Sequence, residues 1–61
     1  MKFAVGQVWE FKGREGGRYV IVELTERGCY MMNLDTNKKV FVTYGNLLDF
    51  FELVRDVKEV D

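Results

Sequence analysis

The chain contains no histidine, no proline and only one cysteine, Cys29. Without histidine, the commonest general acid–base group of enzymes is absent. A lone thiol cannot form an internal disulfide, which predicts a reducing, cytoplasmic location. Because Cys29 lies in an apolar run, we expect its thiol to be buried and unreactive. The composition therefore predicts a protein that is not an enzyme.

Sequence features that would indicate a bound metal, a cofactor or a membrane are also missing. The ten Asp and Glu residues show no spacing typical of a metal site. Residues 13–17 (GREGG) lack the Gly-Lys-Ser/Thr signature of a phosphate loop and do not open a helix, so we expect a β-turn. No apolar stretch approaches the ~20 residues of a membrane span. We expect no metal, no cofactor and no membrane association.

Short apolar runs alternate with turn signals along the whole chain, which is typical of an all-β protein. We predict one domain over residues 1–61. Residues 45–50 (GNLLDF) are too few for a stable α-helix and predict a single 3₁₀ turn at about 45–49. We expect a positive φ at Gly28 and a left-handed conformation at Asn37. The predicted strands span about residues 7–12, 18–25, 29–34, 39–43 and 51–54.

Four strands, one helical turn and a short fifth strand are the plan of an SH3-like barrel. Closing the sheet would remove its edges, which small β proteins otherwise have to protect. A five-stranded OB barrel is the alternative, although it usually has a longer chain and a helix between its third and fourth strands. We predict a small five-stranded SH3-like barrel over about residues 6–54, followed by a charged C-terminal end at 55–61.

Two segments carry a resemblance to known families. Residues 6–11 (GQVWEF) resemble the Gly-Asp-x-Val-x-Val opening of KOW-like SH3 barrels and the Gly-Asp-x-Trp opening of MazF-type toxins. Residues 42–54 (VTYGNLLDFFELV) are similar to a common barrel ending. Gln7 stands where those openings have an acidic residue, and the chain is much shorter than a MazF toxin. The resemblance implies a short SH3-like protein of bacterial or phage type.

Several predicted strands are apolar on both faces, as in residues 19–22 (YVIV) and 40–42 (VFV). A half-buried strand should alternate apolar and polar residues, and a chain of 61 residues buries about one small core. The barrel pattern implies this inward-pointing set: Trp9, Phe11, Tyr19, Ile21, Leu24, Tyr30, Met32, Leu34, Val42, Leu47, Phe51 and Leu53.

The surplus apolar residues predict a protein-interaction surface. Aromatic residues and methionine are typical of interface centres, and a two-fold homodimer or a host protein could cover such a patch. Val8 and Val20 also belong to the surplus. The predicted interaction residues are Val22, Met31, Phe41, Tyr44 and Phe50.

A small nucleic-acid-binding barrel is the alternative function. KOW-like barrels bind RNA or DNA with exposed aromatics for stacking and basic residues for phosphates. The net charge of −1 argues against strong, non-specific binding. Three acidic residues, Glu10, Glu15 and Asp35, also interrupt the basic clusters. The candidate nucleic-acid-binding residues are Lys12, Arg14, Arg18, Lys38, Lys39 and Tyr44.

Overall fold

The computed structural model describes residues 2–57, which form five antiparallel strands and one short helix. The strands make a single sheet in the order β4-β3-β2-β1-β5. The predicted all-β, five-stranded fold is confirmed; residues 58–61 of the predicted C-terminal end lie outside the described residues. The elements are β1 (Val8–Phe11), β2 (Arg18–Leu24), β3 (Gly28–Asn33), β4 (Lys39–Thr43), α1 (Tyr44–Phe50) and β5 (Phe51–Arg55).

The sheet is open, so the term barrel applies only loosely. Strands β4 and β5 are its two edges, and no ladder joins them within residues 2–57. Helix α1 begins beside the β2–β3 turn, where Tyr44 N–H donates to the Arg27 carbonyl. It ends beside β1, where Lys12 N–H donates to the Phe50 carbonyl. Helix α1 therefore crosses one face of the sheet from one end to the other.

Helix α1 is a seven-residue α-helix, and the prediction of a single 3₁₀ turn is wrong. The Thr43 side chain caps its start by accepting from Asn46 N–H at 3.4 Å. Phe51 N–H caps its end by donating to the Leu47 carbonyl. An isolated helix of this length would be unstable in water. Complete burial of Leu47 against the sheet supplies the missing stabilisation.

The core lies between α1 and the face of the sheet that α1 crosses, called here the inner face. Burial of the predicted core residues Trp9, Ile21, Leu47 and Phe51 is confirmed. Phe3, which precedes the predicted barrel, stacks on Tyr44 with ring centroids 4.6 Å apart and also packs against Trp9. The buried cluster consists of Trp9, Ile21, Cys29, Met31, Leu47 and Phe51.

Gln7 is a buried polar residue that joins both ends of the described chain to the core. Its side chain is 1% exposed. The Nε2 group donates to the Lys2 carbonyl and to Asp56 Oδ1, both at 2.9 Å, and Oε1 accepts from Trp9 Nε1–H at 3.2 Å. The Gln7 hydrogen bond, followed by that from Val57 N–H, lowers the pKa of Asp56. The charged C-terminal end is therefore anchored at its first residues.

Strand β3 faces the opposite way from the prediction. Met31 pairs with Ile21, and cross-strand partners point to the same face, so Met31 lies fully buried in the core. Tyr30 and Met32 consequently point outward. The cause is a β-bulge at Val22, which shifts the β2–β3 register between Ile21 and Glu23. Leu34, also predicted to point inward, is 49% exposed, and Leu24 is 39% exposed.

The two predicted turn conformations have different outcomes. Asn37 adopts the left-handed conformation, with φ of 62°, as predicted. Gly28 does not have a positive φ, and the prediction there is wrong. A Cβ at this position would lie 2.3 Å from the Val42 carbonyl oxygen. Glycine is needed there because β3 and β4 approach each other closely.

Candidate interaction surface

The outer face of the sheet, opposite α1, carries apolar side chains on all five strands. The register places Val8 opposite Val20 and Val20 opposite Met32. On the neighbouring strands, Tyr30 lies opposite Phe41. Helix α1 covers only the inner face, and no other described element packs on the outer one. We call this surface the outer-face band and define it by Val8, Val20, Tyr30, Met32, Phe41 and Val54.

An aromatic pair forms the β4 side of the outer-face band. The rings of Tyr30 and Phe41 meet edge to face, with centroids 5.1 Å apart. Lys39 Nζ lies 4.9 Å from the Tyr30 ring centroid, a cation–π distance. Phe41 is 46% exposed, so much of its ring is open to solvent. This pair offers a large, rigid apolar contact with a positive charge beside it.

A shallow depression of about 180 Å³ lies on the β5 side of the outer-face band. Charged residues surround the apolar centre, and Arg18 Nε lies 3.6 Å from Glu10 Oε2 in an exposed ion pair. An apolar centre with a charged rim is the usual composition of a protein–protein interface. The depression is lined by Val8, Arg18, Leu34, Val54 and Arg55.

The five predicted interaction residues do not form one surface. Phe41 belongs to the outer-face band, whereas Phe50 is exposed at the end of α1 and Val22 occupies the bulge. The prediction that Met31 lies on the surface is wrong, because the β3 register places this residue in the core. Tyr44 is half-buried, and its hydroxyl donates to the Thr25 carbonyl.

Three members of the outer-face band were not among the predicted surplus residues: Tyr30, Met32 and Val54. The sequence alone cannot place the first two, because alternate residues of β3 are apolar whichever set is taken to point inward. The register with β2, which the bulge sets, is the only signal that separates the phases. No apolar pattern in the sequence identifies that bulge.

The candidate nucleic-acid-binding residues are only partly brought together. The five basic residues lie in or beside the β1–β2 and β3–β4 turns, at one end of the sheet. Leu34 N–H donates to the Arg18 carbonyl at 2.9 Å and holds these two turn regions together. Glu10, Glu15 and Asp35 lie in the same region. Tyr44 begins α1 beside the β2–β3 turn, at the opposite end of the sheet, so the structure does not bring it together with the basic residues.

The one thiol of the chain is inaccessible. Cys29 is fully buried, and burial raises the pKa of its thiol, so the nucleophilic thiolate is disfavoured at neutral pH. No group of three His, Cys, Asp or Glu residues within 2–57 could hold a metal ion. In the same part of the chain, no helix has the length and apolarity required to cross a membrane.

Comparisons of the chain with protein-family models, curated proteins and solved structures give no match.

Proposed function

We propose that this chain is a non-enzymatic interaction module that binds a partner protein through the outer-face band. One observation carries the proposal: apolar side chains extend across all five strands of a face that no described element covers. Within the band, Phe41 and Val54 are exposed and the other four residues are half-buried. Exposed apolar patches are typical of interaction sites. Covering such a patch removes apolar surface from water, at about 25 cal/mol per Å².

The depression on the β5 side suggests the chemistry of the partner. Its apolar lining comes from Val8, Leu34 and Val54, and its charged lining from Arg18 and Arg55. An apolar partner side chain would fill the floor, and a neighbouring carboxylate would meet the guanidinium groups. The aromatic pair of Tyr30 and Phe41 would supply the second anchor. The partner is therefore a protein surface with apolar residues next to an acidic one.

Val20→Lys tests this proposal at the centre of the band. Val20 lies between Val8 and Met32, so a lysine there would put an unpaired charge in the middle of the interface. We expect a loss of at least about 2 kcal/mol of binding free energy, roughly a 30-fold weaker Kd. The measurement is calorimetric titration of a partner that is captured from the source cell, identified by mass spectrometry and purified.

Phe50→Lys is the matched control. Phe50 is exposed, at 52%, and lies at the end of α1, outside the band, whereas Val20 is half-buried within it. It should bind the purified partner with wild-type affinity. Undiminished binding by folded Val20→Lys, or equal losses in both variants, would contradict the proposal. So would the failure of every captured protein to bind after purification.

Nucleic-acid binding is a second candidate, favoured by the position of Lys39. This lysine lies over the ring of Tyr30, beside exposed Phe41, and follows Lys38 in the β3–β4 turn. Stacking rings with nearby cations are what single-stranded nucleic acids require. A mobility shift of short RNA or DNA at low salt that disappears in Lys39→Glu would favour this candidate. No shift at low salt would eliminate it.

The SH3-like resemblance and the cytoplasmic location are parts of the same proposal. The element order, with α1 between β4 and β5, supports the first. The single buried thiol of Cys29 supports the second, because disulfides are uncommon in the reducing cytoplasm. A bacterial or phage origin rests only on the resemblance.

A further inference from the structure

Strand β4 presents unpaired backbone groups along its outer edge. Asn33 N–H donates to the Lys38 carbonyl at 2.9 Å, which sets the phase of the β3–β4 ladder. Because antiparallel pairs alternate between bonded and non-bonded positions, the bonded pairs are Met31–Val40 and Cys29–Val42. The N–H groups that point away from β3 belong to Lys39, Phe41 and Thr43. Within residues 2–57, no other backbone carbonyl accepts from them.

The opposite edge of the sheet, on β5, is less open to strand pairing. Phe51 N–H donates to the Leu47 carbonyl at the end of α1 and is not available for pairing. A register shift at Val54 interrupts the strand, and the charged residues Glu52 and Arg55 flank it. Bulges and charges are the usual devices that prevent edge-to-edge association. Strand β4 has no register shift against β3 and carries one charge, at Lys39.

Strand β4 is also apolar and exposed on both of its faces. Phe41 is 46% exposed on the outer face, and Val40 is 38% exposed on the inner face. A partner that covered only the outer-face band would leave Val40 in water. A strand added beside β4 would instead cover both side chains and satisfy the three outward-pointing N–H groups.

We infer that a second copy of this chain pairs with β4 along this edge, strand to strand and antiparallel, with Phe41 on the two-fold axis. In this register, Phe41 faces Phe41 of the second copy, and Lys39 faces Thr43 of the second copy. All three outward-pointing residues then occupy hydrogen-bonded positions, and the two lysines are kept apart. Val40 faces Val42 of the second copy on the inner face.

The sequence of β4 suits pairing with itself. Read from either end, Lys39–Thr43 places a polar residue opposite a polar one, valine opposite valine and phenylalanine opposite itself. Aromatic and β-branched cross-strand pairs are among the favourable ones. The contact involves one five-residue strand from each chain, well below the size of a standard interface. The dimer should therefore depend on protein concentration.

This inference goes beyond the proposed function, because the edge and the outer-face band are different surfaces that share Phe41. Val20 lies two strands away from the edge. Val20→Lys should therefore dimerise like the wild type while losing the partner protein. Failure of the edge contact and failure of the proposed function are then separate results.

The test is sedimentation velocity from micromolar to millimolar protein, with variants at Phe41. The wild type should move from monomer to dimer as concentration rises. Phe41→Pro removes an N–H that the β3–β4 ladder does not use, so the fold tolerates it while the new pairing is lost. Phe41→Lys places two ammonium groups opposite each other on the axis. Both variants should raise the dimer Kd at least about tenfold, whereas Phe50→Lys should match the wild type.

Circular dichroism of each sample separates loss of pairing from loss of folding. If Phe41→Pro fails to fold, Phe41→Lys decides the outcome, because its side chain lies on the exposed outer face. A wild type that stays monomeric at millimolar concentration would overturn the inference. Folded Phe41 variants that dimerise like the wild type would also overturn it.

Discussion

Replacing Met31 with glutamate should leave the chain unfolded, whereas the same change at Met32 should give a folded protein. Met31 is fully buried beside Ile21, so the variant loses a core side chain, at about 2–5 kcal/mol, and must also bury a carboxyl group. A domain has about 0.05–0.15 kcal/mol of stability per residue, or about 3–9 kcal/mol for 61 residues. The expected loss therefore reaches the whole stability of the fold.

Met32→Glu is the matched control, because it changes the same residue type one position along the strand. Met32 points to the outer face and pairs with Lys39 across the β3–β4 ladder. The new carboxylate would meet an opposite charge, which is favourable by about 0.2–1 kcal/mol. Urea denaturation followed by far-UV circular dichroism measures both variants. A stable Met31→Glu together with an unfolded Met32→Glu would show that the faces of β3 are reversed.

Trp9→Ala should cost about 3–5 kcal/mol of unfolding free energy, the usual range for deleting a large core aromatic. The indole is 2% exposed and packs against Phe3, with ring centroids 5.9 Å apart. Its Nε1–H also donates to Gln7 Oε1, so the substitution leaves a buried acceptor without its donor. Because Gln7 in turn binds the Lys2 carbonyl and Asp56, loss of Trp9 should loosen both described ends of the chain.

Trp9→Phe separates the two contributions of this residue. It keeps most of the apolar volume but removes the indole N–H, and we expect it to cost about 1–3 kcal/mol, less than Trp9→Ala. Both costs follow from urea titrations. The single tryptophan also reports on the wild type, whose emission should be blue-shifted. Emission like that of free tryptophan in water, or a cost below about 1 kcal/mol for Trp9→Ala, would refute the core position.

The strand boundaries could be predicted from the sequence because each strand ends at a local turn signal. Asn37 is an example, since its left-handed conformation follows from its residue type and its place between two apolar runs. The barrel pattern also predicted Trp9 and Ile21 as core residues, and both are buried. At these positions, the conformation or burial expected from the sequence is the one that the structure shows.

The orientation of β3 could not be predicted, because it depends on a tertiary feature. Cys29 and Met31 are as apolar as Tyr30 and Met32, so alternation fits either phase. The bulge at Val22 selects between them, and nothing in the local sequence marks it. Helix α1 could not be predicted for a similar reason, since its stability comes from the burial of Leu47 and from caps at both ends.

The sequence predicted that apolar residues would be exposed, but it predicted few of their positions. The runs that are apolar on both faces correctly indicated exposed apolar residues, and Phe41 is among them. Val40 is also exposed, on the face of β4 opposite to Phe41, as expected for a run that is apolar on both faces. The open edge of β4 could not be foreseen, because the predicted barrel closes the sheet, whereas the observed sheet is open with β4 at one edge.

The most direct test of whether a second chain pairs with β4 is amide hydrogen exchange along this strand. It is measured by NMR, residue by residue, in dilute and concentrated samples. Val40 and Val42 occupy bonded positions against β3 and should exchange slowly at every concentration. Lys39, Phe41 and Thr43 should exchange quickly in the dilute sample and slow down as the concentration rises. Fast exchange of Phe41 at all concentrations, beside slow exchange of its two neighbours, would contradict the account.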